Sequence, residues 1–155
     1  CKNWGGAYRI PGDMQIYNNA IWTLEPGVTL AFAPAAGLQM EAARLDAIGT
    51  AAAPIRFTSY GSPTPGAWDG ILFLDASFNS SQLSNVVVEG ASHGIETFKA
   101  APTIANALIQ RSNTGIYVHC GQMETPLPGT SVSYGAGADA NGVDSFTDET
   151  GCSYP

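Results

Sequence analysis

Four carboxylates, Asp69, Asp75, Glu89 and Glu96, fall in the strand-forming part of the chain. Glycoside hydrolysis needs two such groups facing each other a short distance apart. An internal repeat sets Glu89 opposite Gln110 and Glu96 opposite Tyr117, so no acid recurs at a stacked position. The four therefore read as solvated acids rather than a catalytic pair. His93 and His119 lack the spacing of a metal pair, and a closed zinc site needs about four ligands. On these grounds the chain is expected not to be an enzyme.

Residues 139–149 gather oxygen ligands in a glycine-bearing loop: Asp139, Asn141, Asp144, Asp148 and Glu149. The spacing is not that of an EF-hand, because Gly142 falls at the wrong position and no acid fills the next ligand slot after Asn141. A solvated acidic loop with Asx turns is the simpler expectation. Calcium is the alternative, with Asp139, Asn141, Asp144 and Asp148 as its ligands, and it would stiffen the loop rather than catalyse. No other cofactor is expected.

Trp22, Trp68, Tyr17, Tyr60 and Tyr117 are candidates for an exposed sugar-stacking surface, although aromatics are also good strand formers. Tyr60 and Trp68 flank a Pro-rich segment with Pro63 and Pro65, and they are the pair expected to touch glycan. Loops of this kind are where repeat folds usually carry function.

These residues must be positioned by a repeat. Residues 84–98 lie over 105–119 at an offset of 21, with Asn85 on Asn106, Val87 on Leu108, Val88 on Ile109, Gly94 on Gly115 and Ile95 on Ile116. Each unit holds short aliphatic runs separated by Gly, Asn and Ser, too short for helices. Such a period indicates a solenoid whose units bury their apolar side only by stacking. Asn85 and Asn106 are expected to be structural, hydrogen-bonding backbone at a corner.

Upstream, Tyr8-Arg-Ile10, Met14-Gln-Ile16, Ile21-Trp-Thr-Leu24 and Thr29-Leu-Ala-Phe32 alternate between turn signals such as Pro11-Gly12-Asp13, Asn18-Asn19 and Pro26-Gly27. Residues 38–48 have helix propensity in Glu41-Ala-Ala-Arg-Leu, but their neighbours keep a period of two, which predicts strands. Residues 59–67 read as a loop inserted at one corner, after which Gly70-Ile71 takes the part of Gly94-Ile95. The expected organisation is one domain: a cap over 1–7 with Trp4, coils over 8–118, and a partial coil and cap over 119–155.

The 155 residues carry 12% charge and a net charge of −7, which fits a turn-rich extracellular all-β protein. With six Lys and Arg, the chain has too few cations for nucleic acid or for anionic lipid. No apolar run is long enough to span a bilayer. Of three cysteines, Cys120 and Cys152 flank a Pro- and Gly-rich segment, and a disulfide between them is expected to close the C-terminal cap. Cys1 is then the odd one out, as a lipid-bearing first residue like that of bacterial lipoproteins, an intermolecular disulfide partner, or a staple to Cys152.

Three stretches, Leu24-Glu-Pro-Gly-Val-Thr-Leu-Ala-Phe32, Gly49-Thr-Ala-Ala-Ala-Pro-Ile-Arg-Phe-Thr-Ser59 and Trp68-Asp-Gly-Ile-Leu-Phe73, resemble the right-handed parallel β-helix repeats of bacterial secreted and surface proteins, the pectin-lyase-like group. The resemblance spans roughly 8–118. It implies an all-β, right-handed parallel β-helix of about five coils. Lyases of this fold use an Arg or Lys beside calcium-binding carboxylates. Here Arg44 has Asp46 near it and Arg56 lies between Ile55 and Phe57, with no acids on successive coils, so no catalytic residue carries over. The expected function is a non-enzymatic structural or adhesive protein, outside the cell or on a bacterial surface, with its own copies or extracellular glycan as partners. End-to-end self-assembly follows from exposed solenoid ends. The alternative is a carbohydrate-binding or polysaccharide-cleaving module.

Overall fold

The computed structural model describes residues 3–74, 80–98, 100, 102–119, 132–134 and 146–148. Among them every regular element is a strand, and every strand pairing is parallel. None is a helix long and apolar enough to cross a membrane. The strands fall into three sheets that the chain visits in rotation. The first holds β1 (Asn3–Trp4), β4 (Ile21–Leu24), β7 (Arg44–Ile48), β10 (Gln82–Ser84) and β13 (Thr103–Ala105). The second holds β2 (Ala7–Ile10), β5 (Thr29–Phe32), β8 (Ile55–Ser59), β11 (Val86–Glu89), β14 (Ala107–Gln110) and β16 (Val132–Tyr134). The third holds β3 (Met14–Ile16), β6 (Gly37–Met40), β9 (Trp68–Phe73), β12 (Ala91–Thr97), β15 (Thr114–Val118) and β17 (Phe146–Asp148).

This is a parallel β-solenoid of about four turns, the number of circuits that carry the first sheet from β1 to β13, rather than about five coils. Pairing begins at Asn3, inside the segment expected to be a cap, because β1 lies parallel to Thr23 and Leu24 of β4. Residues 38–48 form strands β6 and β7, as their period of two predicts. Cys1, Cys120 and Cys152, and with them the expected disulfide, lie outside the described residues. So do Asp139, Asn141 and Asp144. Asp148 is placed only by its backbone, beside Val118.

The alternating pattern fills the interior with ladders that repeat from turn to turn. Leu30, Phe57, Val88 and Ile109 stack in the second sheet, and Leu38, Ile71, Ile95 and Ile116 in the third, all buried. Burying each such side chain contributes about 1.5–3 kcal/mol, which an isolated turn could not obtain. The 21-residue offset holds in all three sheets, as the partners Leu83 and Ile104, Val87 and Leu108, and Ile95 and Ile116 show.

The corners explain the asparagines. Asn85 and Asn106 are single residues between strands of the first and second sheets, with φ of 49° and 51°. Asn tolerates this left-handed conformation better than most residues. Asn85 Nδ2 also donates to Gly49 O (3.3 Å) and Ser84 Oγ (3.2 Å). Both asparagines turn the chain through one corner, a structural task.

The corner at residues 60–67 is longer and folds along the axis onto the next turn. Gly66 N–H donates to Ala91 O (3.1 Å) and Ala67 N–H to Gly90 O (2.8 Å). Gly90 has φ +80°, and a Cβ there would lie 2.9 Å from Pro63 Cα. Glycine is required at 90 both by the turn and by the loop lying over it.

Candidate functional site

The outward face of the third sheet carries a groove among the described residues. It encloses about 380 Å³ and is lined by Asp13, Gln15, Gly37, Leu38, Gln39, Asp69, Gly70, Leu72, Ser92, His93 and Glu96. Strand register explains why these residues meet. Gln15, Gln39, Leu72, Glu96 and Tyr117 are successive neighbours on β3, β6, β9, β12 and β15. A second row on the same face runs Gly37, Gly70, His93 and Thr114. Two glycines in that row remove the side chains that would fill the groove floor.

Gly70 is held there by the backbone. Its partner is His93, and a bulge between His93 and Ile95 makes Gly94 the extra residue, so Gly70 faces His93 and only Ile71 keeps its expected partner, Ile95. Gly70 has φ +118°, and a Cβ on it would sit 1.6 Å from His93 O. At Gly37 a Cβ would lie 3.2 Å from Asp69 Cβ. Asp13 Oδ1 accepts the Gly37 N–H (3.1 Å), so Asp13 and Asp69 both flank Gly37.

At the other side of the groove stands a histidine–carboxylate cluster. Glu96 Oε2 lies 3.1 Å from His93 Nδ1, and Oε1 is hydrogen-bonded to His119 Nε2. The Tyr117 ring stacks on His93 with centroids 4.7 Å apart at 10°, and meets His119 edge-on at 4.7 Å and 82°. Phe98 meets His119 edge-on as well, at 5.7 Å. Tyr117 belongs to β15, on one side of His93; the neighbour on the other side is Gly70, which has no side chain. One face of the imidazole is therefore backed by an aromatic ring, and the strand neighbour on the β9 side, Gly70, carries no side chain. Backing of this kind fixes the ring plane, and a fixed ring is a stacking surface for the apolar face of a sugar.

This cluster was legible in part and missed. The sequence separates His93 from His119, but the 21-residue offset sets Glu96 beside Tyr117 and Phe98 beside His119. Outward alternation then brings His119 to Glu96. Glu96 is thus not a solvated acid. Neither is Glu89, only 7% exposed, which accepts from Arg56 Nη1 (2.9 Å) and Gln110 Nε2 (2.9 Å). Arg44 donates to Asp46 Oδ1 (2.7 Å), and that hydrogen bond and charge hold its guanidinium above the usual value. Both arginines are committed to structural ion pairs. Among the described residues no three His, Cys, Asp or Glu side chains are grouped so that they could hold a metal ion.

The expected glycan pair does not form a surface. Trp68 is fully buried, stacked on Phe32 at 4.5 Å and 10°, and its Nε1–H donates to Glu89 O (2.9 Å). Tyr60 is half-buried with the Arg9 guanidinium 5.4 Å from its ring centroid. Trp22 is buried too, whereas Tyr17 is 56% exposed at the corner after β3. The ring-bearing surface moves from the 60–67 loop to the third sheet.

Fold and groove together define a class, the parallel β-solenoids with a polar groove along one sheet. Comparison with protein-family models, curated proteins and solved structures finds no match to this chain.

Proposed function

We propose that the protein is a non-enzymatic adhesive solenoid, working outside the cell or on a bacterial surface, that binds a carbohydrate chain along the groove of the third sheet. The coil is read as right-handed, the hand that parallel crossovers take, and as akin to the pectin-lyase-like group. The observation that carries this reading is the His93 imidazole in the groove lining, stacked on Tyr117 and paired across the sheet with Gly70, which has no side chain. Gln15 and Gln39 on successive turns supply the donors and acceptors that sugar hydroxyls need. Turns repeat about every 4.8 Å along the axis, close to the rise of one unit in an extended polysaccharide. Against carboxylate-pair hydrolysis, both oxygens of Glu96 are committed to histidines, so Glu96 is not free to act as one of two facing carboxyl groups.

Titration calorimetry against a panel of neutral, cationic and anionic oligosaccharides tests the reading. His93→Ala should weaken binding about three- to tenfold, the worth of one aromatic contact. Tyr60→Ala should leave it unchanged. Equal affinity in the His93 variant, or loss in the Tyr60 variant, would move the site elsewhere.

A second reading, end-to-end self-assembly, has support in the rim of the stack. Among the described residues β2 pairs only with β5 and β3 only with β6, leaving one edge of each open. Open edges template further pairing. Light scattering of the untagged chain should then show mass rising with concentration; a constant monomer mass removes this reading.

A further inference from the structure

Resting on the self-assembly reading, we propose that the end of the coil formed by β1, β2 and β3 is an interface for a second copy of this chain, docked head to tail so that β2 lies against β16 and β3 against β17 of the next copy. The first turn leaves part of the core uncovered. Tyr8, Met14 and Ile16 hold the register positions of Leu30, Leu38 and Met40 and pack on the core, yet they are only half-buried, whereas those three neighbours are buried. The strand edges beside them are open as well. Gly6 O and Ile10 O accept from Thr29 N–H (2.9 Å) and Ala33 N–H (2.9 Å), so the alternate residues Ala7 and Arg9 turn their backbone N–H and C=O groups away from β5. Gln15 has the same place on β3, because Ile16 O accepts from Glu41 N–H (2.9 Å). Half-covered apolar side chains next to an open edge are satisfied by further parallel strands, supplied in more than one sheet at once.

The other end of the same chain has that form. Among the described residues β16 pairs only with β14 and β17 only with β15, so each is the last strand of its sheet. Tyr134 is the register partner of Ile109 and Phe146 of Ile116, which places them at the far ends of the rows that Tyr8 and Met14 begin. A copy added there sets its Tyr8 beside Tyr134 and its Met14 beside Phe146, at the ordinary strand spacing of about 4.8 Å. The order of sheets is kept too, since β17 belongs to the third sheet and β1 of the added copy to the first. Charge selects this polarity. Residues 1–24 hold Lys2 and Arg9 against one acid, Asp13, while beyond Arg111 there are five acids, Glu124, Asp139, Asp144, Asp148 and Glu149, and no Lys or Arg. Arg9 is exposed on β2, and Asp148 is on β17. Joining two like ends would set like charges together, which costs affinity, whereas opposite ends attract. A heterologous contact that advances along the axis does not close on itself, so it repeats into a filament.

Positions 15 and 147 stand at opposite ends of the third sheet within one chain, and head-to-tail docking brings them side by side across the junction, where a disulfide can span neighbouring strands. The test is the double variant Gln15→Cys with Thr147→Cys, assembled, oxidised and digested, with linked peptides read by mass spectrometry and particle length by negative-stain electron microscopy. The expected result is a peptide joining positions 15 and 147, from rods that lengthen with protein concentration. A link between two copies of position 15, or two of position 147, would overturn the proposed polarity and leave self-assembly standing. Ala7→Pro removes an N–H at the open edge, a place where a strand tolerates proline, and should weaken association at least about tenfold. Arg9→Glu, at an exposed site, should weaken it about two- to tenfold in low salt and less in high salt. Unchanged association in either variant, once circular dichroism shows it folded, would place the contact elsewhere and overturn the proposal. A monomer mass at every concentration would overturn both the proposal and the reading it rests on.

Discussion

Gly70→Ala is expected to unfold the protein at ordinary temperatures or to lower its melting point by about 10 °C or more. The backbone at 70 has φ +118°, a region closed to side chains, and the added methyl would lie 1.6 Å from His93 O. Neither atom can move alone, because His93 O belongs to the strand that pairs with β9 on one side and β15 on the other. Strain and clash together place the change among the rare substitutions costing more than about 4 kcal/mol. In a domain of this length each kcal/mol lowers Tm by about 2–4 °C. Thermal unfolding followed by far-ultraviolet circular dichroism reads the effect. A Tm within two or three degrees of the parent, a difference of about 1 kcal/mol, would show that the bulge opposite Gly70 is not formed as described.

Trp68→Ala should destabilise by about 3–5 kcal/mol, the range for deleting a buried aromatic. Three losses combine: the stack on Phe32, the ring volume at the corner between the second and third sheets, and the donor to Glu89 O. Trp68→Phe separates them. It keeps a ring against Phe32 but removes the donor to the Glu89 carbonyl, and should lose about 1–3 kcal/mol. Chemical denaturation with an unchanged slope is the measurement. If Trp68→Ala leaves the midpoint in place but reduces glycan affinity, the ring is at the surface and the groove assignment fails with it.

The fold was legible because its information is redundant. Leu83 over Ile104, Val87 over Leu108 and Ile95 over Ile116 give the same offset in three sheets, so the repeat is written three times in each turn. Trp68 was misjudged for a local reason. The period of two assigns faces only while alternation holds; the 60–67 loop resets it before Trp68, and within β9 it breaks between Gly70 and Ile71, opposite the bulge after His93. Arg56 and Glu89 pair across 33 residues because that same loop inserts extra chain between their turns, which hides them from a fixed offset. His119 was recoverable. It lies two residues beyond Tyr117 on the outward face, and the 21-residue offset already sets Tyr117 beside Glu96.

The 60–67 corner has a consequence for how the molecule comes apart. In a stack whose turns touch only their neighbours, the ends fray one turn at a time. Here the loop from one turn is hydrogen-bonded to Gly90 and Ala91 of the next, and a Cβ on Gly66 would lie 3.0 Å from Asn113 Nδ2 of the turn after that. The span from β8 to β15 is thereby stapled along its length, and its amides are expected to open together in hydrogen exchange. The groove straddles the border of that unit: its β9 and β12 residues lie inside it, whereas Asp13, Gln15, Gly37, Leu38 and Gln39 lie on or beside β3 and β6, toward the rim that frays first.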